Sequence, residues 1–262
     1  MRNDFDFLVK MSKDKDFIGE LDIALRDNYF NLYYKGNSLA KVTFCKGDSY
    51  IISINKKFFK NTGAAKDTRF HAEPNNGYFE IILNKKYLHP FFQRKYINQF
   101  ISNIRKVNNG EEITLEQAII SDNLEREELV IIDRQIADNT WKKRMDLLAL
   151  VHVNGNEYSF RVIEVKLGNN PELESIVAKQ LNDYISHIDK NFNDYKVCYE
   201  KQYEQKKGLN LFSAPKYDSI KIVQPVTGLI AVAGYSRIAT AQIAQLKKNN
   251  PKLKVKSFSY KL

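Results

Sequence analysis

The first part of the chain alternates short apolar segments with polar breaks, which is typical of a β-sheet. Four segments rich in β-branched and aromatic residues cover positions 29–36, 39–44, 49–54 and 78–83. We therefore expect an antiparallel sheet, preceded by a helix within residues 4–26 and followed by another within 90–107 that Pro90 opens. The polar segment 108–112 then marks a boundary between two domains.

One connection in this part interleaves basic residues with Phe58, Phe59 and Phe70. Aromatic rings can stack on bases while lysines contact phosphates, so Lys56 and Lys57 are candidate nucleic-acid contacts. The alternative is an ordinary loop whose phenylalanines are buried.

The pattern changes after Thr114, which precedes Gln117 by three residues in a capping-box arrangement that predicts a helix beginning near residue 115. A later helix has Asn170 as its N-cap and Pro171 at its first position. Around these helices the sequence predicts strands at 129–136, 144–153, 158–167, 228–234 and 253–260 and a further helix at 238–249. This order predicts an α/β domain over residues 111–262, with a mixed sheet flanked by helices, behind a smaller α+β module over residues 1–110.

Composition indicates a globular protein, because 43% of the residues are hydrophobic and 12% are aromatic. The apolar segments are shorter than the roughly 20 residues of a membrane-spanning helix, and the N-terminus lacks a secretory signal pattern. We therefore expect a cytoplasmic protein without a membrane partner. Cys45 and Cys198 are too few for a disulfide framework and have no zinc spacing.

Charge is distributed unevenly along the chain. The net charge of +10 divides into +8 over residues 1–110, −7 over 111–190 and +9 over 191–262. Basic flanks suit a polyanion and an acidic centre suits a cation site. A lysine-rich solvated surface explains the totals equally well, so charge alone does not decide.

Charged residues inside two predicted strands are the strongest chemical signal. Asp146 stands at the start of one apolar strand, and Glu164 and Lys166 stand in the next. Side chains alternate along a strand, so Glu164 and Lys166 share a face, and burying them requires a counter-ion, an ion pair or water. The alternative is an exposed pair at a strand end, because so short a pattern recurs by chance.

Strand register gives a sharper test. If Asp146 and Glu164 face each other, the pairing closes around residues 153 and 157. A plain two-residue Asn154-Gly155 turn would place them on opposite faces. A shared face therefore requires a three-residue loop, a five-residue loop or a compensating bulge.

On one face, the carboxylates of Asp146 and Glu164 and the carbonyl of Val165 could bind a hard ion such as Mg²⁺ or Mn²⁺. Such an ion polarises a phosphoryl group and acidifies a bound water, while Lys166 orients the nucleophile or neutralises developing charge. Phosphodiester hydrolysis fits these residues. The chain has no histidine or thiolate cluster for a softer metal and no glycine-rich phosphate loop.

These motifs resemble the PD-(D/E)XK, or restriction-endonuclease-like, superfamily. Asp146, the Glu164-x-Lys166 motif and a following Gln180-x-x-x-Tyr184 stand in the family order, closest to RecB-type exonuclease domains. The resemblance covers residues 112–190 by motif. Met145 stands where the family name has proline.

The resemblance implies a restriction-endonuclease-like core in which Asp146 and Glu164 bind metal and Lys166 is catalytic. Gln180 and Tyr184, one helical turn apart, would support the site, although Tyr184 also fits a core stripe. It also implies that Gln135 lies near the site.

Relatives place a further glutamate on a helix ahead of the sheet. Glu116 is the tentative metal ligand and Glu127 the second choice. The alternative is that Glu116 is a first-turn carboxylate favoured by the helix dipole.

The sequence thus predicts a Mg²⁺-dependent deoxyribonuclease of restriction, defence or repair, with RNA as an open substrate and a homodimer as a form common in the family. Three basic residues ahead of the first acid are candidate DNA contacts: Lys142, Lys143 and Arg144. The alternatives are an inactive nucleic-acid-binding protein on a nuclease scaffold and a protein-interaction or assembly factor.

Overall fold

The structure is a computed structural model that describes residues 4–26, 28–107, 110–138, 141–212, 216–233 and 237–258. The chain divides into two compact units, Met1–Gln117 and Ala118–Leu262. The division falls inside a helix and not in the polar segment near residue 110. The side-chain amide of Gln117 donates to the carbonyl of Gly19 over 3.0 Å, which ties the first part of this helix to the first unit.

The first unit combines six strands with short helices. Its elements are α1 (Asp6–Ser12), β1 (Leu21–Leu25), β2 (Tyr29–Tyr34), β3 (Asn37–Cys45), β4 (Ser49–Asn55), α2 (Lys56–Phe59), α3 (Gly63–Lys66), β5 (Ala72–Asn75), β6 (Tyr78–Asn84), α4 (Lys85–Phe91), α5 (Arg94–Arg105) and the start of α6 (Glu111–Asp122). The strands form one sheet in the order β1-β2-β3-β4-β6-β5, and every neighbouring pair is antiparallel. The expected antiparallel sheet is confirmed.

Several element boundaries in this unit differ from expectation. The helix expected within residues 4–26 is only α1, and β1 follows it, because short apolar runs do not distinguish helix from strand. Pro90 lies inside α4 and does not open α5. β5, which carries Pro74, escaped prediction because proline is confined to positions such as edge strands.

The aromatic connection after β4 is packed into the first unit. Phe58, Phe59 and Phe70 are all buried, so their rings are part of the core and not exposed for stacking on bases. Lys56 and Lys57 lie on α2, where Lys57 is exposed and the ammonium of Lys56 lies 5.8 Å from the ring of Phe79.

The second unit contains the predicted α/β arrangement. Its elements, after the end of α6, are β7 (Leu129–Asp138), β8 (Trp141–Asn154), β9 (Glu157–Leu167), α7 (Glu172–Ser175), α8 (Val177–Lys190), α9 (Phe192–Gly208), β10 (Lys221–Ala233), α10 (Arg237–Asn249) and β11 (Val255–Phe258). The sheet order is β11-β10-β9-β8-β7. β7, β8 and β9 pair antiparallel, while β10 is parallel to both β9 and β11, so the sheet is mixed as expected.

Three helices differ from the sequence prediction. α6 begins at Glu111, so Thr114 lies inside it, and the acidic residues Glu111 and Glu112 occupy its first turn. The helix expected from residue 170 is divided into α7 and α8, although the side chain of Asn170 does accept the N–H of Glu172 over 2.9 Å. α9 escaped prediction altogether.

The core of the second unit lies between the sheet and helices α8 and α9. Apolar side chains of β8 and β9, including Leu148 and Val162, join Leu181 and Ile188 of α8 in one buried cluster. α8 approaches β10 closely at Gly228, where an added Cβ would lie 2.7 Å from Ile185 and 2.8 Å from Leu181. Only glycine permits this approach, which fixes α8 against the sheet.

Among the described residues, no helix has both the length and the apolar character needed to cross a membrane.

Candidate active site

The hairpin of β8 and β9 has the register that places both acids on one face. Leu147 pairs with Ile163, and the same register runs along the hairpin to His152 and Tyr158. A register shift follows, because Asn154 pairs with Glu157. Val153 is therefore the extra residue of a bulge, the third of the arrangements that a shared face allows. Gly155, with φ of +52°, begins the two-residue loop.

Asp146 and Glu164 line one cleft of about 470 Å³ in the second unit. Asp146 is partly exposed, whereas Glu164 is 1% exposed. The backbone N–H of Val165 donates to Oδ2 of Asp146 over 2.9 Å, which joins β8 to β9 beside Glu164. The cleft thus has one carboxylate at its surface and one at its base.

Lys166 is buried beside these acids and contacts two carboxylates. Its Nζ lies 2.9 Å from Oε1 of Glu164 and 3.1 Å from Oε2 of Glu172. Burial by itself lowers the pKa of Lys166, but the charge of Glu164, hydrogen bonds to both glutamates and the charge of Asp146 outweigh it and hold that pKa above its ordinary value. Lys166 is therefore an ammonium at neutral pH. The exposed strand-end pair considered from the sequence is excluded, because both side chains are buried.

Gln180 and Tyr184 of α8 line the same cleft. The amide of Gln180 donates to the hydroxyl of Tyr184 over 3.1 Å, and that hydroxyl donates to the carbonyl of Arg144 over 2.9 Å. The ring of Tyr184 is also part of the core, as its place in the apolar stripe predicts, whereas its role in supporting the site stays a prediction. Burial, followed by the charge of Glu164, raises the pKa of Tyr184 to about 12.

The opening of the cleft carries positive side chains. Lys143, Arg144 and Lys179 line it and are exposed. Nζ of Lys143 lies 2.6 Å from Oδ2 of Asp183, so this cation is partly neutralised. The side chain of Lys142 lies outside the described part of the chain.

Next to Lys143, an aromatic stack borders α8. The ring of Trp141 stacks on His187 with centroids 4.4 Å apart and meets Tyr184 edge-on at 5.2 Å. The ammonium of Lys143 lies 5.4 Å from the ring of Trp141. This stack holds the start of β8 against α8, the helix that carries Gln180.

Gln135 lies opposite Asp146 on the neighbouring strand β7. The pairs of Arg134 with Leu147 and of Ile136 with Met145 flank Gln135 and Asp146 in the ladder of β7 and β8. Gln135 has φ of +48°, a backbone conformation uncommon for residues other than glycine.

The upstream glutamates have different environments. Glu116 is buried on α6 and follows its first turn, so its explanation as a first-turn carboxylate is wrong. Its assignment as a metal ligand stays a prediction. Glu127 is exposed in the turn before β7 and is not among the residues that line the cleft.

Among the described residues, no three or more His, Cys, Asp and Glu side chains form a group that could hold a metal ion. The cleft supplies two carboxylates, from Asp146 and Glu164. Two hard oxygen ligands fit Mg²⁺, which keeps several waters and accepts phosphate oxygens as further ligands. They do not form a complete protein cage, and the carbonyl of Val165 as a third ligand stays a prediction.

Comparison of the chain with protein-family models, with curated proteins and with solved structures found no match.

Sequence reasoning missed several residues of this cleft. The contact of Glu172 with Lys166 depends on the course of the chain after β9, which no local pattern indicates. Lys179 and Asp183 each stand one residue before a member of the Gln180-x-x-x-Tyr184 pair and are four residues apart, which is about one helical turn. Helical spacing was therefore the signal that could have found them.

Proposed function

We propose that this protein is a metal-dependent nuclease that hydrolyses DNA phosphodiester bonds. The observation that carries the proposal is the cleft in which Asp146, Glu164 and Lys166 line one open space of about 470 Å³. Burying a glutamate and a lysine inside a sheet costs free energy that apolar residues would avoid. A catalytic role would explain why the chain retains these buried charges despite that cost.

Asp146 and Glu164 would hold Mg²⁺ or Mn²⁺ in this cleft. The bound ion would supply Lewis acidity to a phosphoryl oxygen and lower the pKa of a water. Because the N–H of Val165 holds Oδ2 of Asp146 and Glu164 is buried on β9, the two carboxylates are already fixed in position. Such preorganisation reduces the cost of assembling the site when substrate binds.

The ammonium of Lys166 would stabilise negative charge that develops on the phosphate. Gln180 contributes an acceptor, because its Oε1 is buried without a hydrogen-bond partner in the described residues. That atom is suited to receive a hydrogen bond from a water in the cleft.

Lys143, Arg144 and Lys179 would bind the phosphate backbone on either side of the scissile bond. Contacts of this kind are independent of base sequence and weaken as salt rises. The resemblance to the PD-(D/E)XK superfamily, including its restriction-endonuclease-like core, agrees with this proposal, and restriction, defence and repair all suit such an activity.

The test is cleavage of plasmid, single-stranded DNA and single-stranded RNA by the full chain in Mg²⁺ or Mn²⁺. We expect DNA cleavage that EDTA abolishes and that Asp146→Asn and Glu164→Gln each reduce by roughly a hundredfold or more. Glu174→Gln is the matched control, because it removes an exposed carboxylate of α7 outside the cleft. Circular dichroism of each variant establishes that it is folded.

Cleavage that survives EDTA or both substitutions would refute the proposal. Tight, salt-sensitive DNA binding without cleavage would favour an inactive nucleic-acid-binding protein. The absence of both cleavage and binding near physiological salt would favour a protein-interaction or assembly factor.

A further inference from the structure

Lys166 lies between an inner and an outer carboxylate that belong to different elements. Glu164 is on β9 and its side chain is 2% exposed, whereas Glu172 is at the start of α7 and its side chain is 41% exposed. The ammonium is 2.9 Å from the first and 3.1 Å from the second. Only the inner carboxylate is one of the proposed metal ligands.

Glu172 is held in place by contacts that do not involve Lys166. The side chain of Asn170 accepts the backbone N–H of Glu172 over 2.9 Å. The N–H of Gly168 donates to the carbonyl of Ala233 over 2.8 Å, and the neighbouring Leu173 is buried in the core. The backbone that carries the outer carboxylate is therefore held in place independently of what the inner carboxylate binds.

A divalent cation on Glu164 creates an electrostatic conflict. The ammonium of Lys166 already occupies Oε1 of that carboxylate, and two cations on one carboxylate repel each other strongly in a buried site. Without a second partner, Lys166 would have to enter water or remain unpaired, and a buried unpaired charge is costly.

We propose that Glu172 is a positioning residue that takes over the Lys166 ammonium when Glu164 binds a divalent cation. The inference rests on the proposed function, because it assumes that Asp146 and Glu164 bind the ion. The ammonium then stays paired with Glu172, and Glu164 is released for the metal.

Calorimetric titration with Mn²⁺ and Mg²⁺, without DNA, tests the proposal in the full chain. We expect Glu172→Gln to weaken metal affinity by about tenfold, because Lys166 then stays on Glu164. Glu174→Gln removes the same charge from the same short helix and should change affinity by no more than about twofold. Equal effects of the two substitutions would overturn the proposal.

Lys166→Met separates this effect from simple attraction between Glu172 and the ion. If Glu172 acts through Lys166, Glu172→Gln has no further effect on metal affinity when Lys166 is methionine. If Glu172 attracts the ion directly, its tenfold effect persists in the Lys166→Met background and the proposal is overturned.

A crystal of the wild-type protein soaked in Mn²⁺ tests the same step without any substitution. We expect Lys166 to remain within hydrogen-bond distance of Glu172 and to leave Oε1 of Glu164. A lysine still bound to Glu164 beside the ion would overturn the proposal. Absence of any metal binding to the wild type would overturn the proposed function as well, whereas normal binding with a silent Glu172→Gln overturns the role of Glu172 alone.

Discussion

The backbone N–H of Val165 donates a hydrogen bond to Oδ2 of Asp146 over 2.9 Å. One oxygen of the proposed metal ligand is thus also part of the structure that joins β8 to β9. The structural and chemical roles of this carboxylate can be separated, because an amide retains the acceptor oxygen but loses the negative charge.

We expect Asp146→Asn to keep this hydrogen bond and Asp146→Ala to lose it. The alanine variant should lower the free energy of unfolding by about 1–2 kcal/mol, and the asparagine variant by less than about half of that. Both variants should lose metal binding. Urea unfolding and Mn²⁺ titration measure the two effects, and an asparagine variant that binds Mn²⁺ like the wild type would contradict the assignment of Asp146 as a ligand.

Asp183 and Lys179, one helical turn apart on α8, lead to opposite expectations for DNA binding. Asp183→Asn releases Lys143 and should strengthen DNA binding by a few fold at low salt. Lys179→Gln should weaken binding and reduce the slope of log affinity against log salt by about 1. Fluorescence anisotropy in EDTA measures both without cleavage.

Lys190→Gln is the control for this pair of variants, because Lys190 is exposed at the far end of α8 and does not line the cleft. If Lys190→Gln weakens DNA binding as much as Lys179→Gln, the cleft is not where DNA binds.

Close packing of α8 at Gly228 predicts that substitution of this glycine lowers both stability and cleavage activity. Gly228→Ala would force Leu181 or Ile185 of α8 to move, so we expect a loss of about 1–3 kcal/mol in the free energy of unfolding. The shift displaces the helix that carries Gln180 and should also reduce cleavage. Gly208→Ala, at a position with open space around it, should have neither effect.

The environment of Tyr184 predicts a pH dependence of stability. Its pKa is raised to about 12 by burial and by the charge of Glu164, compared with about 10 in an unfolded chain. Because the folded state retains a proton that the unfolded state releases, the contribution of Tyr184 is complete below about pH 10 and is lost as pH rises toward about 12.

Tyr184→Phe has no such proton, so its free energy of unfolding should fall less steeply over this pH range than that of the wild type. Urea unfolding at several alkaline pH values measures the difference. Ultraviolet absorbance of tyrosinate gives an independent check. Because Tyr184 keeps its proton in the folded state near pH 10, folded wild type and folded Tyr184→Phe should show the same tyrosinate absorbance at that pH. Equal slopes for the two proteins would contradict the assignment.

The strands of the second unit were predictable because their apolar alternation is local. β7, β8 and β9 follow from sequence, and the need for a bulge or a longer loop followed from requiring Asp146 and Glu164 on one face. The choice of the bulge did not follow, because sequence does not determine which of several loops closes a hairpin.

Other features were out of reach for identifiable reasons. The buried face of α9 carries Gln202 and Lys206 among tyrosines, so no apolar stripe indicates the helix. Lys206 is buried because its Nζ donates to the carbonyl of Ile132 over 2.6 Å, a partner 74 residues away. The contact of Glu172 with Lys166 depends likewise on tertiary structure that no local pattern encodes.

The bulge at Val153 leads to a prediction about the pairing register of β8 and β9. Val153 is 52% exposed, and the pairs on its two sides, His152 with Tyr158 and Asn154 with Glu157, become consecutive if it is removed. Deletion of Val153 should therefore leave Asp146 and Glu164 on one face, with a stability change within about 1 kcal/mol and unchanged Mn²⁺ affinity. Deletion of Leu150 instead shifts the residues before it by one position, turns Asp146 to the opposite face and should abolish metal binding.

Calorimetric titration of both deletion variants, with circular dichroism to establish folding, measures the contrast. A folded Val153 deletion that no longer binds Mn²⁺ would show that the bulge, and not the shared face alone, is needed to form the site.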